Sequence, residues 1–320
     1  MRRGCSVRSC AVARNSAPKP RRVLRDAGGF TLVEMIAVMA MTAIVAAMTS
    51  VFLRLPLQIY QDTERRAALT DAADTAFRFI KRDLQTALPN SVRVSTADGV
   101  FYLEFLKLRT GGRYRAADRA PGLPAGADSC PDTDGNGFSN EDVLQFGVAD
   151  TCFTTLGGMS ELDSIAINSD FVVVYNLGPG FSGGDAYASG AVTGGNKSLV
   201  TSAAAGAGGE NIIQVQSHIF SLESPGRRLH VISGPVTYAC DAAAGTLRRF
   251  SGYAISAAQP QPPAGASVLL AQGIASCTFT HDQNVINQRT GVVSVWLRLA
   301  EPASGSAVSV FQQVQVVNGS

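Results

Sequence analysis

One carboxylate, Glu34, lies inside the run Phe30–Leu53, FTLVEMIAVMAMTAIVAAMTSVFL, which holds no other charge. At about 1.5 Å per residue, the run is long enough as a helix to cross a bilayer core. A charge at such a position costs about 2.5–3.5 kcal/mol on insertion scales. Cleavage between Gly29 and Phe30 would answer that cost. It frees an α-amino group four residues before Glu34, one helical turn away. The amine of a neighbouring chain would serve equally. A plain anchor has no use for the carboxylate. Neither has a secretory signal peptide cut behind the apolar run, for which Val45-Ala46-Ala47 would be the site.

Three other groups of residues have chemical potential. Asp132-Thr133-Asp134-Gly135-Asn136-Gly137-Phe138-Ser139-Asn140 matches the first nine positions of a calcium loop. Asp132, Asp134, Asn136, the Phe138 carbonyl and Asn140 or its water would be the oxygen ligands, with Gly137 at the sharp turn. Val143 stands where the bidentate glutamate belongs, and an acidic, glycine-rich surface turn uses the same residue types. Cys130, Cys152, Cys240 and Cys277 follow the apolar run without CxxC spacing, which favours two disulfides in an oxidising compartment over zinc. Local pairing gives Cys130–Cys152 and Cys240–Cys277. Two other connectivities, and free thiols, stay open. His218, His230 and His281 are scattered, and no Gly-x-Ser-x-Gly, HExxH, P-loop or dinucleotide fingerprint accompanies them. No enzymatic activity and no required cofactor are expected.

The elements that hold these groups follow from charge and periodicity. Residues 1–29 carry eight of the 27 basic groups and one of the 25 acids, leaving the rest of the chain at net −5. A basic head before an apolar span keeps the N-terminus on the cytoplasmic side, and an acidic body argues against a nucleic-acid partner. The cut leaves residues 1–29 as a leader; a start near Val23 or Leu24 would shorten it to VLRDAGG or LRDAGG without changing the mature chain. Residues 30–53 form a transmembrane helix, and Pro56 just beyond introduces a kink. Leu69, Ala73, Ala76, Phe77, Ile80, Leu84 and Leu88 then draw one apolar face, so 54–88 continues as an amphipathic helix. Asp62/Arg66 and Asp74/Arg78 support it at i,i+4, and Leu88-Pro89 ends it.

Residues 89–320 form a β-rich head. Its strands are expected at Ser91–Ser95, Val100–Arg109, Phe171–Leu177, Ile212–Gln216, Arg228–Ser233, Val236–Cys240, Thr246–Tyr253, Cys277–His281, Val292–Leu299 and Val308–Val317. The last two make a C-terminal hairpin, and 178–210 and 256–266 read as surface loops. The fold class is α+β, a long helix packed on an antiparallel sheet.

Gly28-Gly29-Phe30-Thr31-Leu32-Val33-Glu34 resembles the processing motif of type IV pilins and pseudopilins. The resemblance implies that a prepilin peptidase cuts after Gly29 and methylates Phe30, and that Glu34 sets register during assembly. Leu88-Pro89-Asn90-Ser91-Val92-Arg93, Ser233–Asp241 with Ala243–Leu247, and Gly273–Phe279 resemble minor pilins of the MshO type, from the mannose-sensitive haemagglutinin pilus system. This second resemblance supports a Cys240–Cys277 bond. It also implies assembly with major and minor pilins on an inner-membrane platform, with the head in the periplasm and later on the pilus. A J-type pseudopilin of type II secretion shares the anchor. A pilus-tip adhesin, binding through 178–210 and 256–266, is the competing binding-class reading.

Overall fold

A computed structural model describes residues 29–117, 130–131, 142–188, 195–282, 290–302 and 304–317. Residues 1–28 of the expected leader and the expected calcium-loop residues Asp132, Asp134, Asn136, Phe138 and Asn140 lie outside the described residues. The chain divides at Ile59 and Tyr60 into an N-terminal unit and a head.

A single helix, α1 (Leu32–Gln85), belongs to both. It continues across Pro56 without a break in the helix. Within the head it forms where alanines and long unbranched side chains favour helix. One stripe of it, Ala73, Ala76, Phe77, Ile80 and Leu84, is buried. The helix stops three residues before Leu88. Thr86 turns its hydroxyl onto the Asp83 carbonyl at 2.9 Å. The backbone then joins the sheet, with Leu88 N–H donating to Leu106 O (2.8 Å) and Leu108 N–H to Thr86 O (2.7 Å). Those sheet bonds replace the helical bonds that the coming proline would have cost. Asp62 pairs with Arg65 at i+3 (3.7 Å), and Arg65 also reaches Glu301 (3.6 Å).

Among the described residues twelve strands follow: β1 (Arg93–Ala97), β2 (Val100–Arg113), β3 (Asp150–Thr154), β4 (Phe171–Val174), β5 (Lys197–Ala205), β6 (Asn211–His218), β7 (Arg228–Asp241), β8 (Thr246–Ser251), β9 (Ala266–Gln272), β10 (Ile274–Asp282), β11 (Thr290–Ala300) and β12 (Ala307–Val317). All strand pairs are antiparallel. Nine make one sheet in the order β1-β2-β7-β4-β5-β6-β3, with β8 and β9 branching from β7; β10-β11-β12 make a second.

The fork in the large sheet corrects two sequence expectations. Arg228–Ser233 and Val236–Cys240 are one strand, not two. On the side away from β2, its first half pairs with β4 and its second with β8. Gly234, at φ +114°, and Pro235, which has no N–H, sit at the junction. Opposite them β2 slips register between Leu106 and Thr110. Glycine and proline here mark a bulge within a strand, not a gap between strands. The second correction concerns 178–210. Lys197–Ala205 of that stretch is β5, held between β4 and β6. Its small, weakly patterned side chains give little local strand signal, and its pairing partners decide its state. Nor is 256–266 a plain surface loop. Arg93 of β1 donates to Ala257 O (2.7 Å) and Ser256 O (3.0 Å), and Gln261 donates to Ser95.

The main core joins the α1 stripe to Leu103, Phe105, Val236 and Tyr238 of the large sheet and to Val293, Val295, Leu297 and Leu299 of the small one. Each fully buried Phe, Ile or Leu contributes about 1.5–3 kcal/mol. Cys240 of β7 is bonded to Cys277 of β10 inside this core, so one covalent link joins the two sheets. Cys130 is bonded to Cys152 of β3. A second core, around Phe153, Val172, Ile213 and Phe220, lies under the β4-β5-β6-β3 branch.

Candidate functional site

In the N-terminal unit Gly29 and Phe30 stand outside the helix, both exposed, with Phe30 at 76% of its full surface. Thr31 caps the helix. Its carbonyl accepts the first helical bond, from Met35 N–H (3.2 Å), and its hydroxyl accepts from Glu34 N–H (3.3 Å). An N-cap threonine satisfies one of the four donors that a helix start leaves open. Thr31-Leu32-Val33-Glu34 therefore has the register of a capping box. That role of Thr31 escaped the sequence reading, although the T-x-x-E spacing carried the signal.

Phe30 lies before the cap, not on a helical turn beneath Glu34. Glu34 is the third residue of the helix, where the positive end of the helix dipole favours an anion. Among the described residues no side chain meets its carboxylate. From Leu32 to Ser50 the helix is exposed all round, with a mean hydropathy of 2.1. Its hydroxyls are satisfied internally: Thr42 donates to Val38 O (2.8 Å), Ser50 to Ala47 O (2.8 Å) and Thr49 to Val45 O. A helix apolar on every face needs lipid or other apolar helices around it. Glu34 is the one charge it carries into that environment.

Residues 24–50 match the prokaryotic N-terminal methylation motif. This motif is the prepilin signal of type IV pilin-like proteins. It indicates processing by prepilin peptidase and assembly with other pilins. The match spans Gly29 and Phe30, the cap and the apolar helix and leaves the head unassigned. No curated protein and no solved structure matches the chain.

The head's polar groups are arranged for architecture. Asp83, near the end of α1, is 3% exposed and accepts from Tyr238 OH (2.8 Å) and Arg249 Nε (2.6 Å). Burial first, then the neighbouring Asp83 carboxylate, hold the Tyr238 hydroxyl well above its ordinary range. Glu104, fully buried in β2, pairs with Arg93 at 2.9 Å, and the Arg93 guanidinium lies 3.7 Å from the centre of the Tyr187 ring. Burial raises the Glu104 carboxyl, and Arg93 opposes the shift.

The three histidines stand on β6, β7 and β10. His218 contacts Gly195 O (3.1 Å) and lies edge-on to Phe220. His230 is pushed down to about 4, by burial and then by Arg228. Burial also lowers His281. Among the described residues no three His, Cys, Asp or Glu gather as a metal site. A crevice of about 540 Å³ lies at the sheet fork, between Phe171, Lys197 and Gln216 on one side and Gly234, Tyr253 and Ile255 on the other. A second, of about 330 Å³, lies beside Asp150 and Cys152. The Asp150 oxygens accept from Gln145 N–H (2.9 Å) and Cys152 N–H (3.1 Å).

Proposed function

We propose that the protein is a minor pilin of the MshO type, cut after Gly29, methylated on Phe30 and assembled from the inner membrane into a pilus with its head on the periplasmic side. The observation that carries this reading is Glu34 at the third position of a capped helix directly behind Gly29-Phe30, the one charge between Leu32 and Ser50. On entering a filament, the carboxylate gains the amine of a neighbouring subunit. Ion pairing of that kind recovers the cost of carrying the charge through lipid.

Two further features support the finer assignment. The segments that resemble the MshO type, Ser233–Asp241 and Gly273–Phe279, meet through the buried Cys240–Cys277 bond. Disulfides also suit a head that matures in an oxidising compartment. Mass spectrometry of the mature N-terminus tests the pathway. N-methylated Phe30 is the expected result, and an intact leader or a cut near Ala47 overturns it. Deletion tests the role. Loss of piliation, restored by the wild-type chain but not by Glu34→Ala, is expected; intact pili with failed protein secretion would assign a J-type pseudopilin instead.

A further inference from the structure

Every exposed edge of a sheet presents unpaired N–H and C=O groups, and proteins blunt such edges with charge, proline, bulges, short length or a covering segment. Most described edges of this head carry such a device. β1 is covered by side-chain contacts to Ser256, Ala257 and Gln261. β3 has five residues, a register slip and Asp150. β9 has seven residues and a slip opposite Leu247 and Arg248. β10 slips between Ile274 and Ser276 and ends on Asp282.

The outer edge of β12 has none of these. Its 11 residues, AVSVFQQVQVV, contain no charge and no proline. Its pairing with β11 runs without a slip from Ala307↔Ala300 to Val317↔Thr290. At about 3.3 Å per residue it offers an edge of about 36 Å. Among the described residues no strand pairs with its far side.

We infer that β12 is an acceptor edge, to which a neighbouring subunit adds an extended segment as a fourth strand of the small sheet. This rests on the reading of the chain as a filament subunit. The unpaired backbone calls for a strand, and the side chains state which kind. On the core side the row is Val308, Val310, Gln312, Val314 and Val316; on the outer side it is Ser309, Phe311, Gln313 and Gln315. The fitting segment is uncharged and alternates apolar residues with small polar ones. It carries one apolar side chain beside Phe311, which is 59% exposed and lies across from Trp296. Main-chain bonds give such an addition its affinity and the alternating pockets give specificity. The occupant is a different surface, not a second β12. Two copies of β12 pair antiparallel only about a two-fold axis, whereas subunits anchored by one end build a polar filament through head-to-tail contacts.

Hydrogen–deuterium exchange of the full chain, in detergent micelles and in filaments sheared from cells, tests the inference. Peptides covering 307–317 are expected to exchange far more slowly in filaments. A Gln313→Lys/Gln315→Lys variant, charged on the exposed row, is expected to melt as the wild type does in micelles but to enter filaments about tenfold less. Equal exchange in both states, or normal entry of the lysine variant, overturns the acceptor edge while leaving the pilin reading intact. Symmetric crosslinking of Gln313→Cys to itself in filaments overturns the heterologous partner. Absence of the wild-type protein from filaments removes the filament reading and this inference with it.

Discussion

Replacing Asp83 by alanine should be among the most damaging single changes in the head. The carboxylate is 3% exposed and is shared by the Tyr238 hydroxyl and Arg249 Nε. The Arg249 side chain keeps only 20% of its surface. Removing the acid leaves a largely buried guanidinium without its counter-charge, and breaking a buried pair costs about 3–5 kcal/mol. Tyr238→Phe removes one bond to a charged group and should cost about 1.5–3 kcal/mol. The double variant should cost little more than Asp83→Ala alone, since the tyrosine's partner has already gone. Trp296, the sole tryptophan, is half-buried in β11 and reports on the head during urea unfolding in micelles. With a slope of about 2 kcal/mol/M, a 4 kcal/mol loss moves the midpoint by about 2 M. A shift below about 0.5 M, or full additivity in the double variant, would refute the clamp.

Removing Cys240 and Cys277 together opens a loop of sequence separation 37; loop entropy gives a loss of about 4 kcal/mol, measured by the same unfolding assay. Acid should weaken the head through His230. Its folded value of about 4 lies below the ordinary 6.5, so the unfolded chain takes the proton first as pH falls. The stability lost between about 6.5 and 4 amounts to at most about 3.4 kcal/mol. Burial raises Glu104 and Asp150 and so acts in the opposite direction; a flatter pH–midpoint curve in His230→Gln therefore isolates the histidine. Gly234→Ala should cost about 1–3 kcal/mol, because φ +114° excludes a Cβ without strain; an unchanged melting temperature would count against the fork depending on that conformation.

The parts legible in the sequence were those set by short-range pattern. Three- and four-residue spacing marked the buried stripe of α1, and alternation of Val293, Val295, Leu297 and Leu299 marked β11. Thr31 and Glu34 are also short-range, and their cap could have been read from four letters. What escaped reading depends on distant partners. β5 is a strand because β4 and β6 flank it, not because of Ser198 to Ala205 themselves. Gly234-Pro235 looks like punctuation until β2 is seen to bulge opposite it. Asp83 meets Tyr238 and Arg249 across 155 and 166 residues of chain, a separation that no periodicity spans.

The Cys240–Cys277 bond also bears on mechanics. Under tension, pull arriving through α1 reaches the large sheet at the Asp83 clamp, and load on an added strand leaves through the small sheet. The disulfide connects those sheets in series and closes a ring around β8 and β9. Residues inside that ring lie off the covalent load path, so they cannot be drawn out as slack. The head then yields at its non-covalent contacts, and its extension under force is shortened by the whole length of the ring.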